Sequence, residues 1–173
     1  MTPSKLHWYV GFVKSCQEKR VAEALSRMSI EYYLPIRKEK HKWSDRYKVV
    51  ERPVLPRLIF IRTTFEDRIE HVKVIYGLMG YLNEGGPYHP AVVPDNQLEA
   101  FRRMVEHGEE LVEVTKQEIA PGDHVRVVSG PLKGIECELV RVSQKTCIAV
   151  RLGSLGTATM ELPVTSLEKI SDN

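Results

Sequence analysis

Two hydrophobic periodicities alternate along the first hundred residues, and their order limits the folds open to this chain. His7–Val13 (HWYVGFV) is rich in aromatic and β-branched residues and reads as a strand. Ser15-Cys16-Gln17-Glu18 has the spacing of a capping box, so a helix is expected to follow, burying Val21, Leu25 and Met28. Strands are expected over Glu31–Ile36 and Val54–Arg62, the latter with Leu58 and Phe60 on one side and Ile59 and Ile61 on the other. Thr64-Phe65-Glu66-Asp67 can start a second helix that turns Ile69, Val72 and Val74 or Ile75 inward, and Leu78–Leu82 reads as a fourth strand. Strand, helix, strand, strand, helix, strand is the split βαβ order of a ferredoxin-like α+β domain, βαββαβ. A third helix is expected after Pro94-Asp95, with Leu98, Phe101 and Met104 or Val105 as its apolar stripe.

The pattern then changes. Residues His107–Glu118 are polar and acidic without an apolar period, so they read as a flexible linker whose ends lie roughly 20 Å apart. Beyond it, Val125–Val128, Glu138–Val142, Cys147–Arg151, Ala158–Leu162 and Leu167–Ile170 form short β-type runs punctuated by glycine. They suit a small five-stranded, SH3-like β-barrel. The expected organisation is an N-terminal domain over 1–106, a linker over 107–118 and a barrel domain over 119–173.

Charge is uneven. The net charge is only +2, yet residues 1–64 carry 14 Lys/Arg against 6 Asp/Glu, whereas residues 65–173 carry 11 against 17. A basic N-terminal region suggests an anionic partner, nucleic acid first. Its densest part, Arg37–Arg52, interleaves Lys40, Lys42, Arg46 and Lys48 with Trp43 and Tyr47. Cations neutralise phosphates and aromatic rings stack on unpaired bases. A solvated hairpin whose charges serve solubility is the alternative.

Several classes are set aside on residue patterns. The start lacks the apolar run of a signal peptide, and no apolar stretch is long enough for a bilayer, so a cytoplasmic protein without membrane contact is expected. Cys16, Cys137 and Cys147 lack CxxC spacing, so neither disulfides nor a zinc site are expected, and no metal or other cofactor. The six histidines are scattered, and no nucleophile elbow or phosphate-binding glycine loop is present. Cys16 at a helix start is the one candidate nucleophile, and it lacks an evident base. A non-enzyme is expected.

Here the residues resemble a known family, the NusG-like transcription elongation factors. Trp8-Tyr9-Val10 with Glu18-Lys19-Arg20-Val21, then Arg52–Arg62, then Gly77–Leu82 resemble its N-terminal (NGN) domain in order. Pro121–Val127 with Gly130-Pro131-Leu132-Lys133-Gly134 resembles a KOW motif, the mark of its C-terminal barrel. Two positions depart from the family pattern: Arg57 and Cys137 stand where glycine is usual. The first departure, with the Trp43-Ser44-Asp45-Arg46 core, is similar to the UpxY-type paralogues that act as antiterminators of capsule operons.

The resemblance implies a monomer that docks on the coiled coil of the RNA polymerase clamp and suppresses pausing or termination. By position, the docking patch would be Phe12, Leu55, Pro56, Leu58 and Phe60, although each could instead be sheet core. Lys14, Gln17 and Arg20, expected as a ridge on the first helix, would read non-template DNA or nascent RNA, or be ordinary helix surface. Leu155 would face a second partner, termination factor Rho or ribosomal protein S10, unless it folds onto the barrel. A ribosome-associated RNA-binding KOW protein is the competing reading.

Overall fold

The structure, a computed structural model, describes residues 5–108 and 111–170. It divides into two compact units, the second beginning at Asn96.

In the first unit, β1 (His7–Val13) lies in the middle of an antiparallel sheet. It pairs with β5 (Leu58–Thr63) on one side, with Val10 opposite Phe60, and with β6 (Leu78–Tyr81) on the other. The short β2 (Tyr32–Tyr33) extends the sheet beyond β5, and β7 (Val92–Val93) also pairs with β1. The order β2-β5-β1-β6 is that of the ferredoxin-like arrangement. Helices α1 (Glu18–Arg27) and α2 (Asp67–Val74) connect the strands. Val21, Ala22 and Leu25 of α1 close with Val13, Ile59, Ile61, Ile75 and Leu78 into one buried cluster. Ile59 and Ile61 thus face this core, and Leu58 and Phe60 the opposite side of the sheet, as alternation requires.

Several expected details differ, each for a local reason. Met28 is exposed because α1 ends at Arg27. Ser29 takes a left-handed φ of 56°, and the Ile30 amide donates to the Leu25 carbonyl, closing a Schellman-type cap that turns Ile30 inward instead. In α2, Ile69 is exposed while His71 is buried near the Tyr81 hydroxyl, and of the pair Val74 or Ile75 it is Ile75 that turns inward beside Val72, as expected. Burial holds the His71 pKa below the ordinary histidine value. Thr64 accepts the Asp67 amide at 3.0 Å, but Ser15 makes no such cap on α1.

The largest difference lies between β2 and β5. After Pro35 the chain leaves the main sheet as a separate ribbon, β3 (Ile36–Trp43) paired with β4 (Arg46–Pro53). The Val54 amide donates to the Pro35 carbonyl at the base of this ribbon. Residues 54–57 then turn, so the strand expected from Val54 begins only at Leu58.

The second unit contains α3 (Asp95–His107), which buries Leu98, Phe101 and Met104 at the expected spacing. Gly108 ends it where a side chain would meet the sulfur of Met160 at 2.6 Å. Of residues 107–118, expected as a linker, 109 and 110 lie outside the described residues. Glu113–Thr115 form β8, which pairs with β12 (Thr157–Glu161). The remaining strands are β9 (Asp123–Val127), β10 (Glu136–Val142), β11 (Lys145–Arg151) and β13 (Leu167–Lys169). The sheet order is β13-β9-β10-β11-β12-β8, so β8 adds a sixth strand to the five expected.

Arg151 ties the entry to this sheet. It forms a bidentate pair with Glu138 (Nε 3.1 Å, Nη2 2.8 Å) and donates to the carbonyl of Ile119 at 3.0 Å. The guanidinium lowers the Glu138 pKa, mainly through its hydrogen bond. A depressed carboxylate pKa contributes stability above the ordinary carboxylate range, and that contribution is lost as pH falls through the folded value. Arg151→Ala is expected to cost the second unit about 2 kcal/mol, since charged hydrogen bonds are lost from a half-buried carboxylate. The loss should shrink as pH falls below the ordinary carboxylate range and through the depressed folded value, where Glu138 becomes protonated in any case. Amide hydrogen exchange of β10 and β11 in the full chain, with and without the substitution, measures both.

Candidate polymerase and nucleic-acid interface

Three surface groups of the first unit carry the residues that the sequence singles out.

The first is an edge where β1 meets the start of β5. Phe12 and Leu58 lie opposite each other and are half-buried, and Pro56 is exposed. Leu55 is buried in the turn. Phe60 departs from expectation: it is completely buried and stacks on Tyr33 with ring centroids 6.0 Å apart. It is core, and the patch reduces to Phe12, Pro56 and Leu58.

Arg57 sits within this edge at a φ of 65°. The left-handed conformation costs a residue with a Cβ roughly 1–2 kcal/mol. Three contacts hold it there. Its amide donates to Glu18 Oε1 at 2.9 Å, its carbonyl accepts the Val13 amide at 2.8 Å, and its guanidinium lies 4.6 Å from the centroid of the Phe12 ring. Glu18, expected in a capping box, is buried and used for this turn instead.

The second group begins two residues after Phe12. Lys14 and Gln17 precede α1 rather than riding on it, because Cys16 turns the chain at a φ of 60°. The three residues do not form a helical ridge, yet they converge. Lys14 Nζ lies 4.8 Å and the Arg20 guanidinium 5.8 Å from the centroid of the Tyr76 ring, and Arg20 donates to Gln17 Oε1 at 3.3 Å. Tyr76 is 69% exposed. Sequence reasoning passed over it. Its signal is an aromatic residue out of phase with the α2 stripe and next to Gly77, whose carbonyl accepts the Lys14 amide.

The third group is the β3–β4 ribbon, whose pairing register splits the basic residues between two faces. Lys40 and Lys42 share one face with Val49 and Tyr47, while Trp43, Arg46 and Lys48 share the other with His41. Trp43 and Tyr47 are 61% and 71% exposed, and Lys48 lies 5.9 Å over the Trp43 ring. The acids of the ribbon are occupied. Glu39 meets His41 and Arg52, Asp45 lies beside Arg46, and Lys19 holds Glu51 at 2.8 Å, lowering its pKa. Among the described residues, Lys40, Lys42 and Lys48 make no ion pair within 4.0 Å.

Leu155 is also placed differently from expectation. It lies in a short 3-10 turn, Gly153–Leu155, and is only 4% exposed, so it folds into the barrel instead of facing a partner. Cys137 and Cys147 are buried, and burial pushes the Cys137 thiol up to about 12. Cys16 is exposed, and its one hydrogen-bond neighbour among the described residues is the Ser15 hydroxyl at 3.8 Å. Among the described residues, no group of three or more His, Cys, Asp or Glu could hold a metal.

The family model described as transcription termination factor nusG matches residues 6–102, more than half of the chain, and a KOW motif matches residues 121–152. The chain belongs to the NusG family. A transcription termination/antitermination protein NusG from Synechocystis is 28% identical, over 97% of this chain and 91% of its own length. Among solved structures, one described as domain interaction in Thermotoga maritima NusG covers 96% of this chain and 98% of its own, at 22% identity and a TM-score of 0.49. An MjSpt4:Spt5 complex covers 96% and 99%, at 16% identity and a TM-score of 0.31. The chain is accordingly a transcription factor built from an NGN and a KOW domain.

Burial separates the two phenylalanines of this NusG-family chain. Phe60→Ala is expected to cost about 3–5 kcal/mol of folding stability, the range for an aromatic core deletion. Phe12→Ala, half-exposed, should cost well under that. Denaturant unfolding of the two variants checks the order.

Proposed function

We propose that the chain docks on the RNA polymerase clamp through Phe12, Pro56 and Leu58, and there promotes processive elongation by opposing pausing and termination. One observation carries this reading. The segment from Phe12 to Arg20 builds both the apolar edge and the Lys14–Gln17–Arg20–Tyr76 cluster, with Glu18 bonded back to the Arg57 turn. A protein contact and a nucleic-acid contact therefore adjoin on one short stretch of chain. Half-buried apolar residues where two paired strands end beside the exposed Pro56 suit a partner surface, and an aromatic ring flanked by cations suits an unpaired base. No chemistry is required of any residue. The factor acts where polymerase acts, in the cytoplasm.

The cluster favours an operon-specific antiterminator, in line with the resemblance to capsule-operon paralogues. Gln17 can bond base edges and so discriminate, whereas Tyr76 stacks on any unpaired base and Lys14 and the ribbon lysines meet phosphates without regard to sequence. The KOW domain is less suited to holding RNA by charge. Its Arg126, Arg151, Lys145 and Lys169 are paired with Glu136, Glu138, Glu161 and Asp123. A ribosomal RNA-binding role therefore finds little support in that domain.

Transcription in vitro with polymerase from the same source, on the chain's own leader region and on an unrelated template, tests the reading. Wild type should suppress pausing more on its own leader. Gln17→Ala should remove that preference, at about 1–3 kcal/mol of discrimination, while leaving polymerase binding intact, and Tyr76→Ala should weaken action on both templates. Lys14→Ala, or Lys40→Ala with Lys48→Ala, should weaken action on both templates alike and flatten its salt dependence. Equal activity of wild type on both templates would leave a general elongation factor.

A further inference from the structure

Arg57 combines three features that a purely structural residue does not need. It holds a backbone conformation that favours glycine, at a φ of 65°. It is exposed, with its guanidinium over the Phe12 ring at 4.6 Å. Among the described residues it has no carboxylate within 4.0 Å of its guanidinium. Glu18, the carboxylate at this turn, accepts the Arg57 backbone amide, and the guanidinium's hydrogen bond is a long one, Nε to the Val13 carbonyl at 3.4 Å. Strain of this kind persists where a side chain serves a site. An arginine stacked on an aromatic ring keeps its planar fork oriented for a carboxylate.

We propose that Arg57 selects the polymerase partner: the clamp surface that covers Phe12, Pro56 and Leu58 carries a carboxylate beside its apolar contacts, and Arg57 pairs with it. The inference rests on the reading of this edge as the polymerase-docking site. Charge complementarity identifies the occupant. The edge offers apolar contact and one unpaired, pre-oriented cation, so it fits an acidic-apolar surface and rejects a basic one. If Arg57 merely shielded Phe12 from water, its charge would be irrelevant to binding.

The test uses the full chain and intact RNA polymerase from the same source, with affinity measured at low and high salt beside thermal unfolding. Arg57→Gly and Arg57→Asn both suit a left-handed backbone and remove the charge. Both are expected to melt no lower than wild type, to bind polymerase on the order of ten-fold more weakly at low salt, and to lose part of the salt dependence. Arg57→Lys should keep the salt dependence with intermediate affinity. If wild type binds and the Gly and Asn variants bind equally tightly, this proposal falls while the docking edge stands. Binding lost in step with stability in both variants would make Arg57 a structural clamp and also overturn it. Failure of wild type to bind polymerase would remove the docking edge and the proposal together.

Discussion

The hydrogen bond from the Arg57 amide to the buried Glu18 carboxylate sets the geometry of the first unit. It joins the first residue of α1 to the turn before β5, across 39 positions of sequence. A buried carboxylate without such a donor would be costly, so the turn and the helix start are fixed together. The turn sets where β5 begins, and with it the register that places Val10 opposite Phe60. A slip of one residue would exchange the faces, turning Ile59 and Ile61 away from the helices. The same bond therefore organises the core and leaves Phe12 and Leu58 at an accessible edge.

The second unit uses its charges differently. Arg151 gathers Glu138, Thr157 and the carbonyls of Ile119 and Ala120, so the segment entering the barrel is anchored by one guanidinium. Arg126, Lys145 and Lys169 also meet acids at the barrel surface. In the ribbon of the first unit, by contrast, acids are fewer and already engaged. The charge asymmetry of the sequence thus becomes a structural one: paired charges that hold a barrel, and cations left over on a protruding hairpin.

Much of this was legible in the sequence wherever one period ran without interruption. Val21 and Leu25, Ile59 and Ile61, and Leu98, Phe101 and Met104 all point where their spacing predicts. The misplacements cluster at turns with positive φ on residues other than glycine. Ser29 removes Met28 from the helix face, Cys16 moves Lys14 and Gln17 off the helix, and Arg57 shortens the third strand. Nothing in the side chains of Ser, Cys or Arg announces a left-handed turn, because those residues adopt it only when tertiary contacts compensate. Leu155 lies in a 3-10 turn where no strand period applies, and Phe60 was obscure for yet another reason. Alternation assigns a residue to a face of a sheet but does not say whether that face is covered. Tyr76 escaped because its partners, Lys14 and Arg20, come from far along the chain.

On the proposed reading, each contact group is small. A three-residue apolar edge or a single stacked base would bind weakly alone, and the ribbon's phosphate contacts weaken with salt. Their strength comes from being presented together on one compact unit, so that engaging one raises the effective concentration of the others. That arrangement also accounts for selectivity between states of polymerase. A factor that touches clamp and exposed strand at once gains most from the state that offers both, and it shifts the equilibrium only by that difference in affinity. Strengthening the clamp edge alone would tighten binding to every state and shift nothing. The state preference must therefore reside in the Lys14–Gln17–Arg20–Tyr76 cluster and the ribbon, whose nucleic-acid ligands change as the polymerase pauses and resumes.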